Sequence, residues 1–206
     1  MTHDQQHLVH MIATPVMIVL YTIRLIILMR LRLAKDKAPA RGLIFKGVVD
    51  AFLTLAMPWK MESTRKNMMY YVEFMAFHLG LFANIGLAYL YTYAHKWTTQ
   101  PLVSTIFIVF IALGLVAGII RFRRRFTQPD LKIISSFDDY FSLFLVLLFK
   151  ITGILLLLGY PWASWAYFLI VGFFLVYAPF SKIHHYLYYP FARFFYGSGL
   201  ARKGIE

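Results

Sequence analysis

Cysteine is absent from this chain of 206 residues, and its absence excludes several kinds of chemistry. Without thiols the chain has no disulfide, no thiolate-bound zinc, no iron–sulfur ligation and no covalent attachment of a c-type haem. A metal held by this chain must therefore be bound by histidine, methionine, carboxylate or backbone groups.

Charged residues are also scarce. They make up 15% of the sequence, whereas hydrophobic residues make up 60% and aromatic residues 18%. Soluble domains carry about a quarter charged residues, so the composition indicates a membrane protein in contact with lipid. The net charge of +12 follows a membrane topology and forms no basic surface on a polar domain, so we expect no nucleic-acid partner.

Five apolar runs are long enough to cross a bilayer, which takes about 20 residues. They lie near residues 12–33, 68–94, 101–120, 139–160 and 162–183. We expect the first run to be retained, because no basic segment precedes it as in a cleaved signal peptide. No repeat or soluble segment interrupts the pattern. We therefore predict an all-α integral membrane protein, one domain over residues 1–206 with five transmembrane helices.

Lysine and arginine are distributed unevenly between the connections. The first connection, the third connection and the C-terminal segment carry nine, five and four of them, eighteen in all. The N-terminus and the other two connections together carry only Lys96. The positive-inside rule therefore predicts an outer N-terminus and a cytoplasmic C-terminus.

The first connection contains an amphipathic segment near residues 42–57. Its apolar residues, among them Phe45, Val49 and Phe52, recur at helical spacing, but the segment is too short and too charged to cross a membrane. We interpret it as an interfacial helix on the cytoplasmic surface. A docking helix for a cytoplasmic subunit is an equal alternative, and both interpretations are compatible.

Histidines at two places suggest a cofactor site. His78 lies within the second apolar run, and His184 and His185 lie at the end of the fifth. A histidine in hydrocarbon is costly and usually has a partner, which in the simplest case is a neighbouring helix. Two histidines from facing helices also hold a b-type haem, one on each face of the iron. Neighbouring helical residues point about 100° apart, so only one of the adjacent pair can face such a ring. A kink at Pro179 would help to bring His78 and the adjacent histidine pair to the same depth in the membrane.

The motifs "FHLG" on the second run and "PFSKIHHYLYYP" at the end of the fifth carry a family resemblance. They resemble the gamma subunit of respiratory nitrate reductase. The same family includes the cytochrome b subunits of membrane heterodisulfide reductase and of the transmembrane redox complexes of sulfate reducers. In its fifth-span motif, the haem ligand comes six residues after one proline and five before the next. Counted from Pro179 and from Pro190, both spacings select His185. The resemblance thus implies one haem b near the cytoplasmic side, with His78 and His185 as axial ligands and His184 as a neighbour.

The sequence departs from that family at the second, outer haem. The positions that the family uses for its ligands are Ala88 and Tyr167 here. The resemblance therefore supports the inner haem only, and the family's quinol-oxidising site near the outer haem is not carried over. His10 and His95 leave open a substitute pair for a second haem.

Two basic residues lie inside the predicted spans. Arg24 and Lys150 are candidates for contacts with a haem propionate or with a quinone carbonyl. Each has the alternatives of pairing with Glu73, which lies near His78, or of reaching the membrane surface. No catalytic triad or nucleotide-binding loop accompanies them, so we assign no catalytic residue.

The resulting expectation is an electron-transport subunit of a respiratory oxidoreductase complex in the prokaryotic cytoplasmic (inner) membrane, one used in anaerobic respiration. Electrons would pass between a cytoplasmic iron–sulfur subunit and either menaquinone, a quinone-interacting membrane subunit or a periplasmic multihaem cytochrome c. Chemistry at the substrate would take place elsewhere in the complex. One alternative is a haem-free anchor that assembles a complex, and a weaker one is a small transporter with Arg24, Glu73 and Lys150 as a polar pathway.

Overall fold

The computed structural model of the chain describes residues 3–31, 39, 41–60 and 62–204. Within these ranges the regular structure is entirely helical. Short helical turns connect the longer helices. These turns are Thr54–Ala56, Pro58–Lys60, Glu62–Lys66, His95–Thr98, Pro129–Ile134 and Lys182–His184. The longer helices are α1 (His3–Arg30), α2 (Ile44–Leu53), α3 (Met68–Tyr93), α4 (Pro101–Thr127), α5 (Phe137–Leu157), α6 (Ala163–Tyr177) and α7 (His185–Arg202).

The helices confirm the prediction of a multi-pass helical membrane protein. Among the described residues, four helices are long and apolar enough to cross a membrane, and a fifth span results if the interrupted pair Ala163–Tyr177 and Lys182–Arg202 counts as one. The interruption includes Pro179, which has no N–H with which to continue the helix. The orientation of the termini stays a prediction.

Two helices extend beyond the apolar runs. Helix α1 begins at His3 and includes polar residues that precede the hydrophobic run. Helix α4 continues through the basic residues that follow its apolar run and ends at Thr127. Arg121 and Arg124 form ion pairs with Glu73 of α3, so these charges belong to the helical bundle as well as to the topology signal.

Contacts between residues divide the chain into two compact units. The first unit comprises Met1–Leu20 and Val72–Lys182, and the second comprises Tyr21–Tyr71 and Ile183–Glu206. A single membrane domain over the whole chain stays a prediction.

The first unit depends on close contact between helices. A Cβ built at Gly80 of α3 would lie 2.7 Å from the Cα of Gly114 on α4, so the two backbones touch where both residues lack side chains. Small residues at such positions are how membrane helices approach closely. Helices α5 and α6 complete a core formed by Leu87, Ala88, Ile111, Phe149, Leu156, Ala163, Tyr167, Phe168 and Val171.

The second unit is built on a contact between α2 and α7. A Cβ at Gly47 would lie 2.6 Å from the carbonyl oxygen of Gly197, so these two backbones also meet at paired glycines. The ring of Phe52 packs edge-on against Tyr189 at 6.1 Å between centroids. The helix predicted near residues 42–57 is therefore present as α2 and the turn that follows it, and its place on a membrane surface stays a prediction.

Substitution of Gly80 by alanine tests the contact between α3 and α4. We expect Gly80→Ala to lower the free energy of unfolding by about 1–3 kcal/mol, because the new methyl group meets backbone atoms that cannot move aside. Thermal unfolding in detergent, followed by circular dichroism, measures the change.

Gly86 on the same helix is the matched control. It is exposed, and its Cβ would meet only the Phe107 ring at 3.9 Å, so Gly86→Ala should be neutral or slightly stabilising. Equal effects of the two substitutions would contradict the packing described for Gly80.

Candidate functional site

His78 is half-buried on α3 in the first unit. Its Nδ1 lies 2.8 Å from the backbone carbonyl oxygen of Phe74, one turn earlier on the helix. Because a carbonyl only accepts hydrogen bonds, Nδ1 carries a proton, and in the neutral imidazole Nε2 then carries the lone pair. Metal-ligating histidines are usually held this way, with the second ring nitrogen donating to a carbonyl or carboxylate. His78 is therefore in the tautomer that can bind iron through Nε2.

Aromatic rings surround that histidine on its own helix. The ring of Phe74 lies 4.2 Å and the ring of Phe77 5.4 Å from the imidazole, measured between centroids. These rings restrict the orientation of the imidazole. They also give it the apolar surroundings that a b-type haem requires on its ligand side.

The adjacent histidines of the second unit occupy different environments. His184 ends the turn Lys182–His184 and is half-buried, with the ring of Tyr188 5.0 Å away. Its Nδ1 is buried and has no hydrogen-bond partner among the described residues. His185 begins α7 and is exposed. The predicted ligand pair thus takes His78 from one unit and His185 from the other, and the pairing stays a prediction.

Lys150 is fully buried on α5. Its ammonium donates to the carbonyl oxygens of Phe77 at 3.0 Å and Gly114 at 2.9 Å, and it lies 3.8 Å from the centre of the Phe77 ring. One cation thus joins α5 to both α3 and α4. Phe77 directly precedes His78, so the positive charge is held against the helical turn that carries the candidate ligand.

The alternative pairing of Lys150 with Glu73 is wrong. The carboxylate of Glu73 instead forms ion pairs with Arg121, whose Nε lies 3.0 Å from Oε1, and with Arg124. Arg24, the other basic residue inside a predicted span, lies half-buried on the part of α1 that belongs to the second unit. Its proposed contact with a propionate or quinone stays a prediction.

Asn84 and Tyr167 form a buried polar contact that the sequence analysis missed. The amide nitrogen of Asn84 donates to the carbonyl of Phe149 at 2.8 Å, and the hydroxyl of Tyr167 donates to the carbonyl of Asn84 at 2.6 Å. Both side chains are fully buried. A lone asparagine in an apolar run was the available signal, because an amide in hydrocarbon needs a partner on another helix.

The two positions that correspond to the second haem's ligands belong to the hydrophobic core. Ala88 and Tyr167 are both buried there, and the Tyr167 ring stacks on Phe149 at 5.2 Å between centroids. The two histidines considered as substitutes have separate neighbours. His10 packs against Tyr89 and Phe168, whereas His95 is exposed with its Nδ1 3.3 Å from the hydroxyl of Thr98. A second haem on this pair stays a hypothesis.

Asp138 and Asp139 lie in the first turn of α5, where the helix dipole favours negative charge. Asp139 forms a capping box with Ser136, and it also pairs with Arg125 and Lys182. Asp138 accepts from the hydroxyl of Tyr177 and from the backbone N–H of Lys182, the latter at 2.7 Å. These bonds connect the start of α5 to the segment that follows α6.

No family model, curated protein or solved structure matches this chain. The functional argument therefore depends on the residues and on their geometry.

Removal of the Tyr167 hydroxyl tests the buried polar contact. We expect Tyr167→Phe to lower the free energy of unfolding by about 0.5–1.5 kcal/mol, because the backbone carbonyl of Asn84 loses a donor in a fully buried site. Tyr160→Phe, at an exposed tyrosine, is the control and should leave the thermal midpoint unchanged. A Tyr167→Phe protein as stable as the parent would show that this contact contributes little.

Proposed function

We propose that this chain is the haem b-containing membrane subunit of a respiratory redox complex. It passes electrons between a cytoplasmic iron–sulfur subunit and either the quinone pool or a sister membrane or periplasmic cytochrome subunit. The observation that carries this proposal is the imidazole of His78, which lies in an apolar helix with its Nδ1–H bonded to the Phe74 carbonyl. That bond prepares Nε2 as a metal ligand.

The residues fit a haem held through two histidines. His78 would supply one axial nitrogen and His185 the other, with His184 beside it. Haem b, when bound, supplies an iron centre that takes up and releases one electron. Phe74 and Phe77 keep the ligand side apolar.

The two basic residues take different roles in this proposal. Lys150 already binds two carbonyl groups, so a contact with a propionate or quinone would require it to break both bonds. We therefore assign it a structural role, because its two hydrogen bonds hold α5 against α3 and α4 beside the turn that carries His78. Arg24, which is half-buried, is the better candidate for a propionate contact.

The proposed need for partner subunits follows from the absence of cysteine in the chain. A protein with no cysteine cannot bind an iron–sulfur cluster through thiolates, so any such relay belongs to another subunit on the cytoplasmic side. The basic connections place α2 and α7 on that side under the positive-inside rule. Menaquinone, a quinone-interacting membrane subunit or a periplasmic multihaem cytochrome c would be the other electron partner in the prokaryotic inner membrane.

A haem-free anchor is the second candidate. The exposed aromatic residues Phe194, Phe195 and Tyr196 on α7 favour it, because they offer a surface for lipid or for another subunit. The transporter hypothesis has less support. Glu73 and Lys150 are held by different partners, and Lys150 is closed off from solvent, so these residues do not form a continuous polar pathway.

Replacement of the ligands distinguishes these functions. We expect the complex purified from membranes to show a b-type alpha band in its reduced-minus-oxidised spectrum. His78→Leu and His185→Leu should each lose that band, because each variant removes one of the two proposed axial ligands of the haem iron. His7→Leu, at a histidine with no assigned ligand role, is the control and should keep the spectrum of the parent.

His184→Leu distinguishes the proposed roles of the two adjacent histidines. It should retain the alpha band, since its neighbour is the proposed ligand. An alpha band that survives in either His78→Leu or His185→Leu would disprove the ligand assignment. A parent complex that assembles with its partners but contains no haem would favour the anchor.

A further inference from the structure

Three basic residues lie together at one end of the second unit. Arg41 precedes α2, whereas Arg202 and Lys203 lie at the end of α7. The backbone N–H of Arg41 donates to the carbonyl oxygen of Arg202 at 3.1 Å, so the three side chains leave the backbone at neighbouring points. Arg41 and Lys203 are exposed, and Arg202 is half-buried. We call these three residues the basic cluster.

Close packing between α2 and α7 holds the basic cluster in place. A Cβ at Gly42 would lie 2.9 Å from the carbonyl oxygen of Ala201, so the chain beside Arg41 touches the last turn of α7. A Cβ at Gly204 would lie 3.4 Å from the Cβ of Arg41, so the chain just after α7 packs there as well. The cluster is therefore part of the folded unit and exists before any ligand binds.

Within the described part of the chain, no carboxylate neutralises the basic cluster. None of its three members forms an ion pair there. Helix α7 contains no acidic residue, and the described carboxylates of the second unit, Asp50 and Glu62, pair with Lys60 and Lys66. Like charges that lie close together repel one another, so an anion bound among them is stabilised.

Two exposed apolar side chains lie next to the basic cluster. Leu43 is 73% exposed and Phe45 is 81% exposed, and both lie within four residues of Arg41. A free phosphate ion would neutralise the cluster but leave these two side chains in water. An anionic phospholipid carries a phosphate group and acyl chains in one molecule, so it matches both the charge and the apolar surface.

We propose that the basic cluster binds the phosphate group of an anionic phospholipid, whose acyl chains pack against Leu43 and Phe45. Arginine binds phosphate through two parallel hydrogen bonds and lysine binds it as a point charge, and the cluster supplies both kinds of contact. A lipid bound there holds this end of the α2–α7 pair at the headgroup layer. The site goes beyond the proposed electron-transfer function and does not depend on haem.

Cations at the end of α7 also have a simpler, structural role. The last carbonyl groups of a helix carry partial negative charge, which nearby cations stabilise. That role alone predicts a less stable lipid-free protein when the cations are removed, with no change in lipid affinity. A lipid titration therefore distinguishes the two roles.

Native mass spectrometry of the delipidated full chain tests the lipid site. The probes are phosphatidylglycerol and phosphatidylcholine with the same acyl chains, and the dissociation constant of the first bound lipid is measured. We expect the triple variant Arg41→Gln, Arg202→Gln, Lys203→Gln to bind phosphatidylglycerol at least about tenfold more weakly, because each cation near a lipid surface contributes about fivefold to affinity. Its affinity for phosphatidylcholine should equal that of the parent.

The matched control removes three exposed cations elsewhere in the chain. The variant Arg65→Gln, Lys96→Gln, Arg123→Gln lowers the net charge by the same amount and should bind phosphatidylglycerol like the parent. An equal loss in both triple variants would show that binding follows net charge alone and would overturn the proposal. Unchanged affinity in the cluster variant would also overturn it, even if the thermal midpoint of that variant falls.

Phe45→Ser tests the contact with the acyl chains. It should weaken the binding of phosphatidylglycerol by at least about threefold, because part of the apolar contact is lost. Phe137→Ser, at a phenylalanine that is also 81% exposed, is the control and should leave that affinity unchanged. Displacement of the bound lipid by inorganic phosphate or polyglutamate at the same concentration would indicate a site for a free anion or an acidic protein segment and would contradict a lipid site.

Discussion

The ammonium group of Lys150 is the interaction on which the first unit depends. An amine in hydrocarbon is costly unless it finds partners, and this one finds two carbonyls and an aromatic ring on α3 and α4. Those carbonyls are within reach because Gly80 and Gly114 let the two backbones touch. A Cβ at Gly114 would lie only 3.0 Å from the lysine nitrogen. The lysine and the glycines therefore require one another, and together they fix the helical turn that presents His78.

Sequence patterns predicted the helical membrane architecture because hydropathy reports directly on burial in lipid. It did not identify the partners of Lys150 and Glu73. Hydropathy shows that a charge lies in the membrane. Whether Lys150 binds a carboxylate or two carbonyl groups depends on how closely three helices approach one another. Asn84 was overlooked for the same reason, since its partner Phe149 lies 65 residues further along the chain.

The first unit treats the ligand positions of the family's inner and outer haems differently. His78 is oriented by a backbone hydrogen bond, as a metal ligand would be, whereas Ala88 and Tyr167 are part of a close-packed core. The proposed function therefore centres on one haem and on partner subunits that supply the rest of the electron path.

The amount of haem b in the purified complex, measured as the pyridine haemochrome and divided by the amount of this chain, tests the central claim most directly. The account predicts about one haem b per chain, because a single pair of histidines is proposed as its axial ligands. A complex that is fully assembled yet contains no haem attributable to this chain would contradict the account. About two haems per chain would contradict the assignment of a single ligand pair.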